Sequence, residues 1–328
     1  MLGWLNFKGY DFFPHGTHID FMRWRDVCFG VSVIMMLGSL GLFFVKGLNY
    51  GVDFTGGTVI EMQTKDGSAA DIGGLLNKLK GLGLGDIQMQ AFGSPSDVLI
   101  RVEQQKGGDA AQQVAASKIA EAMGSGFTMR RTEIVGPAVS NELKFTGIMA
   151  LVGAMIAIVA YVWFRFEWQF AFGTIMALVH DVLLTVGLFS LFWLEFDLSI
   201  VAALLTILGY SVNDTVVISD RIREDLRKYK RMNLSDLLNL SINETLSRTI
   251  LTGTTTFAVL IALFVFGGPV IHNFTLAMLF GIAVGTYSSI FISAPVLGYL
   301  GIRRETVGDA PKPEATVAGR RPAAARKR

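Results

Sequence analysis

One cysteine, Cys28, stands among 328 residues. That excludes an internal disulfide framework and any cysteine-built metal site, and leaves a small apolar residue in a membrane helix as the plain reading of Cys28. Histidine is almost as scarce. Of the four, only His15 and His18 are close in sequence, and they sit among Pro14, Gly16 and Thr17, a loop and not a metal cage. Charge is sparse as well. Lys, Arg, Asp and Glu make up 17% of the chain and leave a net +2, too little to hold a phosphate backbone, so no nucleic-acid partner is expected. Hydrophobic residues, by contrast, make up 51%. A soluble fold of this size has no use for so much apolar surface, and the lipid bilayer is the solvent that takes the excess.

Six apolar runs are long enough to cross the hydrocarbon core: 27–45, 146–164, 170–193, 198–219, 250–267 and 274–300. The first follows Arg23 and Arg25 but is too long for a signal-peptide core and lacks a small-residue cleavage site, so it reads as a retained helix. Lys and Arg number seven between Arg221 and Arg248 and eight after Gly301, against none in 194–197 or 268–273. The excess marks the cytoplasmic side. Both termini and a loop over 220–249 are thus expected in the cytoplasm of a bacterial inner membrane, with the long segment after the first helix on the periplasmic side. The expected organisation is a cytoplasmic segment 1–26, a first membrane helix 27–46, a periplasmic domain 47–145, a five-helix remainder 146–300 and a basic tail 301–328. The tail is rich in Ala, Pro, Lys and Arg and is expected to be disordered.

Within 47–145 the hydrophobic period alternates between two residues and a helical repeat. It predicts strand 58–64, helix 69–81, strand 87–92, strand 97–104, helix 109–123 and strand 127–135. The order βαββαβ is that of a ferredoxin-like split motif. The fold class is therefore an α-helical membrane protein of six transmembrane helices, with a small α+β ferredoxin-like domain between helices 1 and 2. This domain brings together no acid, base and nucleophile, so no enzyme is expected there.

An ionised side chain at the bilayer centre costs about 2.5–3.5 kcal/mol even on insertion scales, so each one needs a partner or a purpose. Asp181, after His180, falls near mid-membrane in the third run. As adjacent helix residues the two are expected to face apart. Asp214 falls in the fourth run, LTILGYSVNDTVVIS, beside Asn213, with Tyr210 and Ser211 at helical spacing. Arg248 opens the fifth, followed by Thr249, Thr252, Thr254, Thr255 and Thr256. Asp214 and Arg248 lie toward the cytoplasmic ends of consecutive helices and can approach each other. The threonines can bond back to their own helix or line a hydrated seam. A proton path and a satisfied helix interface both fit these residues. Gly209, Gly253, Gly281 and Gly285 suit close helix packing.

These residues lie in stretches that resemble the SecD/SecF family of the resistance-nodulation-division superfamily: GVDFTGG at 51–57, VGPAVSNEL at 135–143, HDVLLTVG at 180–187, GYSVNDTVVISDRIRED at 209–225, INETLSRT at 242–249 and GTYSSIFIS at 285–293. They occur in family order over about 50–295. The NDT and SRT sequences, the single short outer domain and the chain length favour the smaller, SecF branch; Ser219 before Asp220 is a minor departure from the family pattern. The resemblance implies an accessory of Sec protein export that draws on the proton motive force, with protons as the coupling ion and no other cofactor. It also implies proton-path roles for Asp214 and Arg248. The partners it implies are a SecD-like subunit completing a twelve-helix core, the SecYEG translocon, YajC-like or YidC-like accessories and the translocating preprotein. His180, Asp181, Ser211, Asn213 and Thr252 remain candidate polar membrane residues. Gly51, Asp53, Gly56, Gly57 and Pro137 are candidate junction or hinge residues, with Asp53 expected to be solvated at the bilayer edge.

Three other readings compete. An exporter of small molecules or lipids in the same superfamily would need a large substrate-binding outer region, usually two such loops, and here there is one. An intramembrane aspartyl protease would use Asp181 and Asp214, which lack the flanking residues of such enzymes. A non-conducting structural subunit would use the same polar residues for packing alone.

Overall fold

A computed structural model describes residues 17–302. The tail beyond 302, His15 and the first part of the N-terminal segment lie outside the described residues. Six helical spans are long and apolar enough to cross a membrane. They are α1 (Arg25–Lys46), α5 (Pro137–Arg165), α6 (Trp168–Phe192), α7 (Leu198–Lys228), α8 (Leu234–Phe266) and a last span from Pro269 to Tyr299. This last span contains α9 (His272–Ser288), a π-helical turn at Ser289–Ser293, and α10 (Ala294–Tyr299). The chain is thus a multi-pass membrane protein.

Helices α6, α7 and α9 form the inside of the bundle, while α1, α5 and α8 turn most of their apolar residues outward, as lipid-facing helices do. Small residues set the close contacts. A Cβ on Gly281 would strike Ile207 of α7, one on Gly285 would touch Ser211, and one on Gly187 would collide with Ser39 of α1. Close backbone approach at such positions substitutes, in lipid, for the hydrophobic drive that water supplies. Gly209 and Gly253 do otherwise. A Cβ at either would meet nothing within 4 Å, so within this chain these two are not packing positions; they open outward on α7 and α8.

Between α1 and α5 lies the ferredoxin-like unit. After the two-residue β1 (Asn49–Tyr50) and the one-turn α2 (Val52–Thr55) come β2 (Gly57–Thr64), α3 (Ile72–Lys80), β3 (Ile87–Phe92), β4 (Ser94–Val102), α4 (Gly108–Met123) and β5 (Phe127–Val135). The sheet order is β3-β4-β2-β5, all antiparallel, in register Thr58 with Val102 and Gly57 with Val135. Alternation buries Ile60, Met62, Val98, Ile100 and Val102 against Leu79, Ala115, Ala116 and Ile119 of the two helices. The other face, with Val59, Glu61, Leu99 and Arg101, looks toward the membrane bundle. β4 starts three residues earlier than its composition suggests, because the positive φ of Gly93 makes the β3–β4 turn short enough to bring Ser94–Ser96 into the strand.

The expected loop over 220–249 is helix for most of its length. Residues 229–233 are the only break between α7 and α8. The charged residues that end the hydropathy signal are themselves helix-stabilising: Arg221 pairs with Glu224 at 2.8 Å and Asp225 at 3.4 Å at i+3 and i+4, and with Glu244 across to α8. Ile222 and Leu226 pack there on Leu237, Leu238 and Ile242. Residues 19–22 strap this hairpin, with Asn243 and Asn239 accepting from the backbone of Ile19 and Met22.

Candidate functional site

Three carboxylates are buried on α6 and α7; Asp225 sits in the α7–α8 hairpin with Ser241, while Asp181 and Asp214 lie within the bundle in surroundings that differ. Asp181 on α6 is fully buried. Its Oδ2 accepts from Ser211 of α7 at 2.6 Å and Ser288 of α9 at 3.0 Å, and its Oδ1 lies 3.0 Å from Nδ1 of His180. The expectation that His180 and Asp181 face apart is therefore corrected. Neighbouring helix residues diverge by about 100° at Cα, but the imidazole bends its near nitrogen back to the carboxylate. The ring also stacks on Tyr287, whose hydroxyl donates to the carbonyl of Cys28 at 2.9 Å and lies 3.0 Å from Ser32 of α1. One polar network thus joins α1, α6, α7 and α9. The π turn just past Ser288 packs closely on α6 about two turns from Asp181, where a Cβ on Gly173 would lie 2.9 Å from the carbonyl of Ser293. Ser211, grouped with Asp214 by spacing, serves Asp181 instead.

Asp214 lies one turn further along α7 and is 2% exposed. The hydroxyl of Thr286 on α9 is beside it. Its Oδ2 has no hydrogen-bond partner, and neither do the Tyr210 hydroxyl nor Thr215 Oγ1 within a turn of it. A buried polar group left unpaired costs about 1–3 kcal/mol, so these three atoms, spread over residues 210–215 of α7, are left in want of a partner. Arg248 of α8 is exposed and makes no ion pair with Asp214, yet is near enough to act on it electrostatically. Asn213 is exposed beside it, on a strip of α7 that includes Ala202, Thr206 and Gly209. Thr252 bonds back to the carbonyls of Arg248 and Thr249 at 3.0 Å, and Thr255 and Thr256 also bond back within α8.

The junction residues meet at the other end of α7. Gly51 caps α2 and donates its N–H to Phe196 in β6 (Glu195–Phe196), which pairs in parallel with β1. Asp53 is half-exposed, and its Oδ2 also accepts from the amide of Leu198, the first residue of α7. Asp197 caps the same helix through Ile200 at 3.1 Å. Gly56 and Gly57 have φ of +71° and +125°, and a Cβ on Gly57 would lie 2.5 Å from the carbonyl of Val102, so glycine is required there. Pro137 occupies the first turn of α5, where its missing N–H costs nothing. Sequence reasoning missed the Asp53–Leu198 contact, because the two lie 145 residues apart.

The profile described as protein export membrane protein SecD/SecF, C-terminal, matches residues 115–303, and that of the SecD/SecF GG motif matches 41–67. The chain belongs to the SecD/SecF family. It is 45% identical over 306 residues to the protein translocase subunit SecF of Rhodobacter capsulatus, covering 89% of this chain and 91% of that one. Against SecF of Escherichia coli O157:H7 the identity is 41% over 295 residues, with 89% and 91% covered. The SecDF translocase subunit of Brucella abortus is 44% identical over 90% of this chain, but the match takes in only 39% of that longer protein. The crystal structure of SecDF from Thermus thermophilus superposes with a TM-score of 0.79 at 33% identity, over 89% of this chain and 40% of that chain. The chain thus spans about two-fifths of the length of these SecDF proteins. Within the SecD/SecF family the GG-motif profile falls on the turn that ties the ferredoxin-like unit to α7.

Proposed function

We propose that this chain is a proton-driven accessory subunit of Sec protein export in a bacterial inner membrane, working with a SecD-like partner. Both termini would be cytoplasmic and the ferredoxin-like domain periplasmic, an orientation supported by the lysine and arginine distribution. The observation that carries the reading is Asp214, a buried carboxylate with an unpartnered oxygen, on a helix whose far end is held by the DFTGG turn. A proton that binds at Asp214 removes its charge and the cost of burying it. Each charge moved through the membrane field draws about 2.3 kcal/mol per 100 mV, enough to bias two helix arrangements. Because α7 is one helix from Leu198 to Lys228, displacement at Asp214 passes to Asp53, the GG turn and the outer domain. Arg248 supplies the nearby positive charge against which Asp214 ionises.

The SecD-like partner would sit on the strip formed by Thr206, Gly209, Asn213, Arg248 and Gly253. These are small or polar residues on an open membrane face, the kind that packs against another helix and not against lipid. SecYEG, YajC-like or YidC-like accessories and the preprotein are the further partners that a translocase subunit implies.

The test is proton flux and completion of export in vesicles holding the chain, its SecD-like partner and the translocon, for wild type, Asp214→Asn and Arg248→Met. Assembly should stay intact while Asp214→Asn loses at least tenfold in both readouts. Unchanged flux in Asp214→Asn would leave Asp214 as a packing residue and the chain as a structural subunit.

A further inference from the structure

The ferredoxin-like sheet has two free edges, β3 and β5, and they are built differently. β5 reads FTMRRTEIV, with Arg130, Arg131 and Glu133 exposed or nearly so, and its pairing with β2 carries a bulge at Glu61/Met62. Charges and bulges are what folded proteins use to keep another strand from adding to an edge. β3 reads IQMQAF and has neither charge nor proline, and its one register shift is at its end, between Ala91 and Phe92.

β3 also borders a cleft of about 660 Å³ between the sheet and the bundle, whose far wall includes Trp193, Phe264 and His272. Every residue from Gln88 to Gly93 lines this cleft, as happens where the wall is a strand's edge and not only one face. The amide of Glu103 donates to the carbonyl of Asp86 at 3.0 Å, and the register pairs Gln88 with Arg101 and Gln90 with Leu99. By antiparallel alternation, the N–H and C=O groups of Ile87, Met89 and Ala91 then point away from β4, along the open edge. The charged groups on the cleft wall, Arg101 and Glu195, are paired with each other.

We infer that β3 takes up an extended segment of the polypeptide being exported, as an added fifth strand. Main-chain hydrogen bonds supply the affinity in this mode, and the side chains on offer, Gln88 and Gln90, are neutral amides that accept or donate to any neighbour. Such an edge holds unfolded chain whatever its sequence and selects only against proline-rich segments. A permanent partner strand would be met by charged complementarity, which β3 lacks, and Ile87 and Met89 are already committed to the core of the domain itself. The inference rests on the export function proposed above, and it assigns the client surface of that function.

A benzophenone photocrosslinker placed at Gln90, and in a second variant at Thr128 on the exposed β5 edge, tests this in vesicles holding the full complex and an export reporter arrested by a folded C-terminal domain. Gln90 should crosslink the reporter at least fivefold more than Thr128. Ala91→Pro, which removes an outward N–H where proline fits an edge strand, and Gln90→Lys, which puts a guarding charge on the edge, should each cut the yield of a crosslinker at Gln88 by fivefold or more. Protease resistance of the outer domain verifies folding, and Gln90→Lys keeps the test decisive if the proline variant unfolds. Equal crosslinking from both edges, crosslinks from Gln90 to the SecD-like partner or to lipid alone, or unchanged yield in the folded variants would overturn the assignment. Reporter crosslinking through Gln90 that persists while Asp214→Asn conducts normally would preserve the client edge and discard the proton reading.

Discussion

Asp181 Oδ2 accepts hydrogen bonds from two neighbouring helices at once, whereas Asp214 Oδ2 accepts none, so truncating the two carboxylates should have opposite consequences. Asp181→Ala deletes two interhelical bonds, worth about 0.6 kcal/mol each in membrane bundles, and strands the buried His180 and Ser211, while Ser288 keeps the Gly285 carbonyl as acceptor, for a total of about 2 kcal/mol. Asp214→Asn removes a buried charge and keeps its volume, so its stability should equal or exceed that of wild type. Thermal unfolding of the detergent-purified chain checks both: Tm several degrees lower for Asp181→Ala, unchanged or higher for Asp214→Asn. Equal losses would mean that Asp214 has partners as firm as those of Asp181. The cost of burial made both aspartates stand out in the sequence, but it could not tell them apart. What separates them is the position of Ser211 and Ser288 on other helices, and helical spacing assigns Ser211 to the wrong aspartate.

Elements with a strong period were the legible ones. β2, β3, α4 and β5 lie within a residue of where alternation and helical spacing put them; β2, β3 and α4 set a face on a core of Ile60, Ile100 and Ile119, and the exposed β5 packs on it through Phe127 and Ile134 near its ends. The hydropathy signal failed past Ser219 and before Ile250, where α7 and α8 leave the apolar zone but continue as a hairpin held by Arg221, Asp225, Ser241 and Glu244. Ion-pair spacing at i+3 and i+4 was the available signal there. The two-residue strands β1 and β6 carry no period at all. Tertiary contact decides them, as it decides the turn that follows. At that turn Gly57→Ala forces a φ of +125° on a residue with a Cβ, 2.5 Å from a carbonyl. Strain of about 1–3 kcal/mol plus the clash should loosen β2 from β4. Limited proteolysis of the full chain should then cut the outer domain at least fivefold faster, while Gly83→Ala, also at positive φ but with open space around it, should give a much smaller change. Similar rates for the two variants would show that the carbonyl contact is not what requires glycine at 57.

At the scale of the whole molecule, the ferredoxin-like unit meets the bundle, beyond the GG turn, through the ion pair of Arg101 with Glu195 and through Gly93 seated on Pro269. Glu195 is mostly buried in that contact. Desolvation pushes its carboxyl above the ordinary range despite the opposing pull of Arg101, and Asp197 and Asp53 add to the rise. A carboxyl whose pKa is higher in the docked than in the undocked state binds more protons when docked, so docking is strongest below the ordinary glutamate range and weakens as pH climbs through the raised value. The surface that carries this pair would face the compartment from which protons enter, so acidification there should tighten the domain on the bundle. Spin labels at Thr128 and Val270, both exposed, read the effect as a distance distribution in vesicles. The short-distance population should grow as the outer pH falls from 8 toward the ordinary glutamate range. In Glu195→Gln, which is neutral throughout, it should stay constant over the same range. A wild-type distribution that does not move with pH, or one that broadens on acidification, would mean that the Arg101 charge and not burial governs the contact.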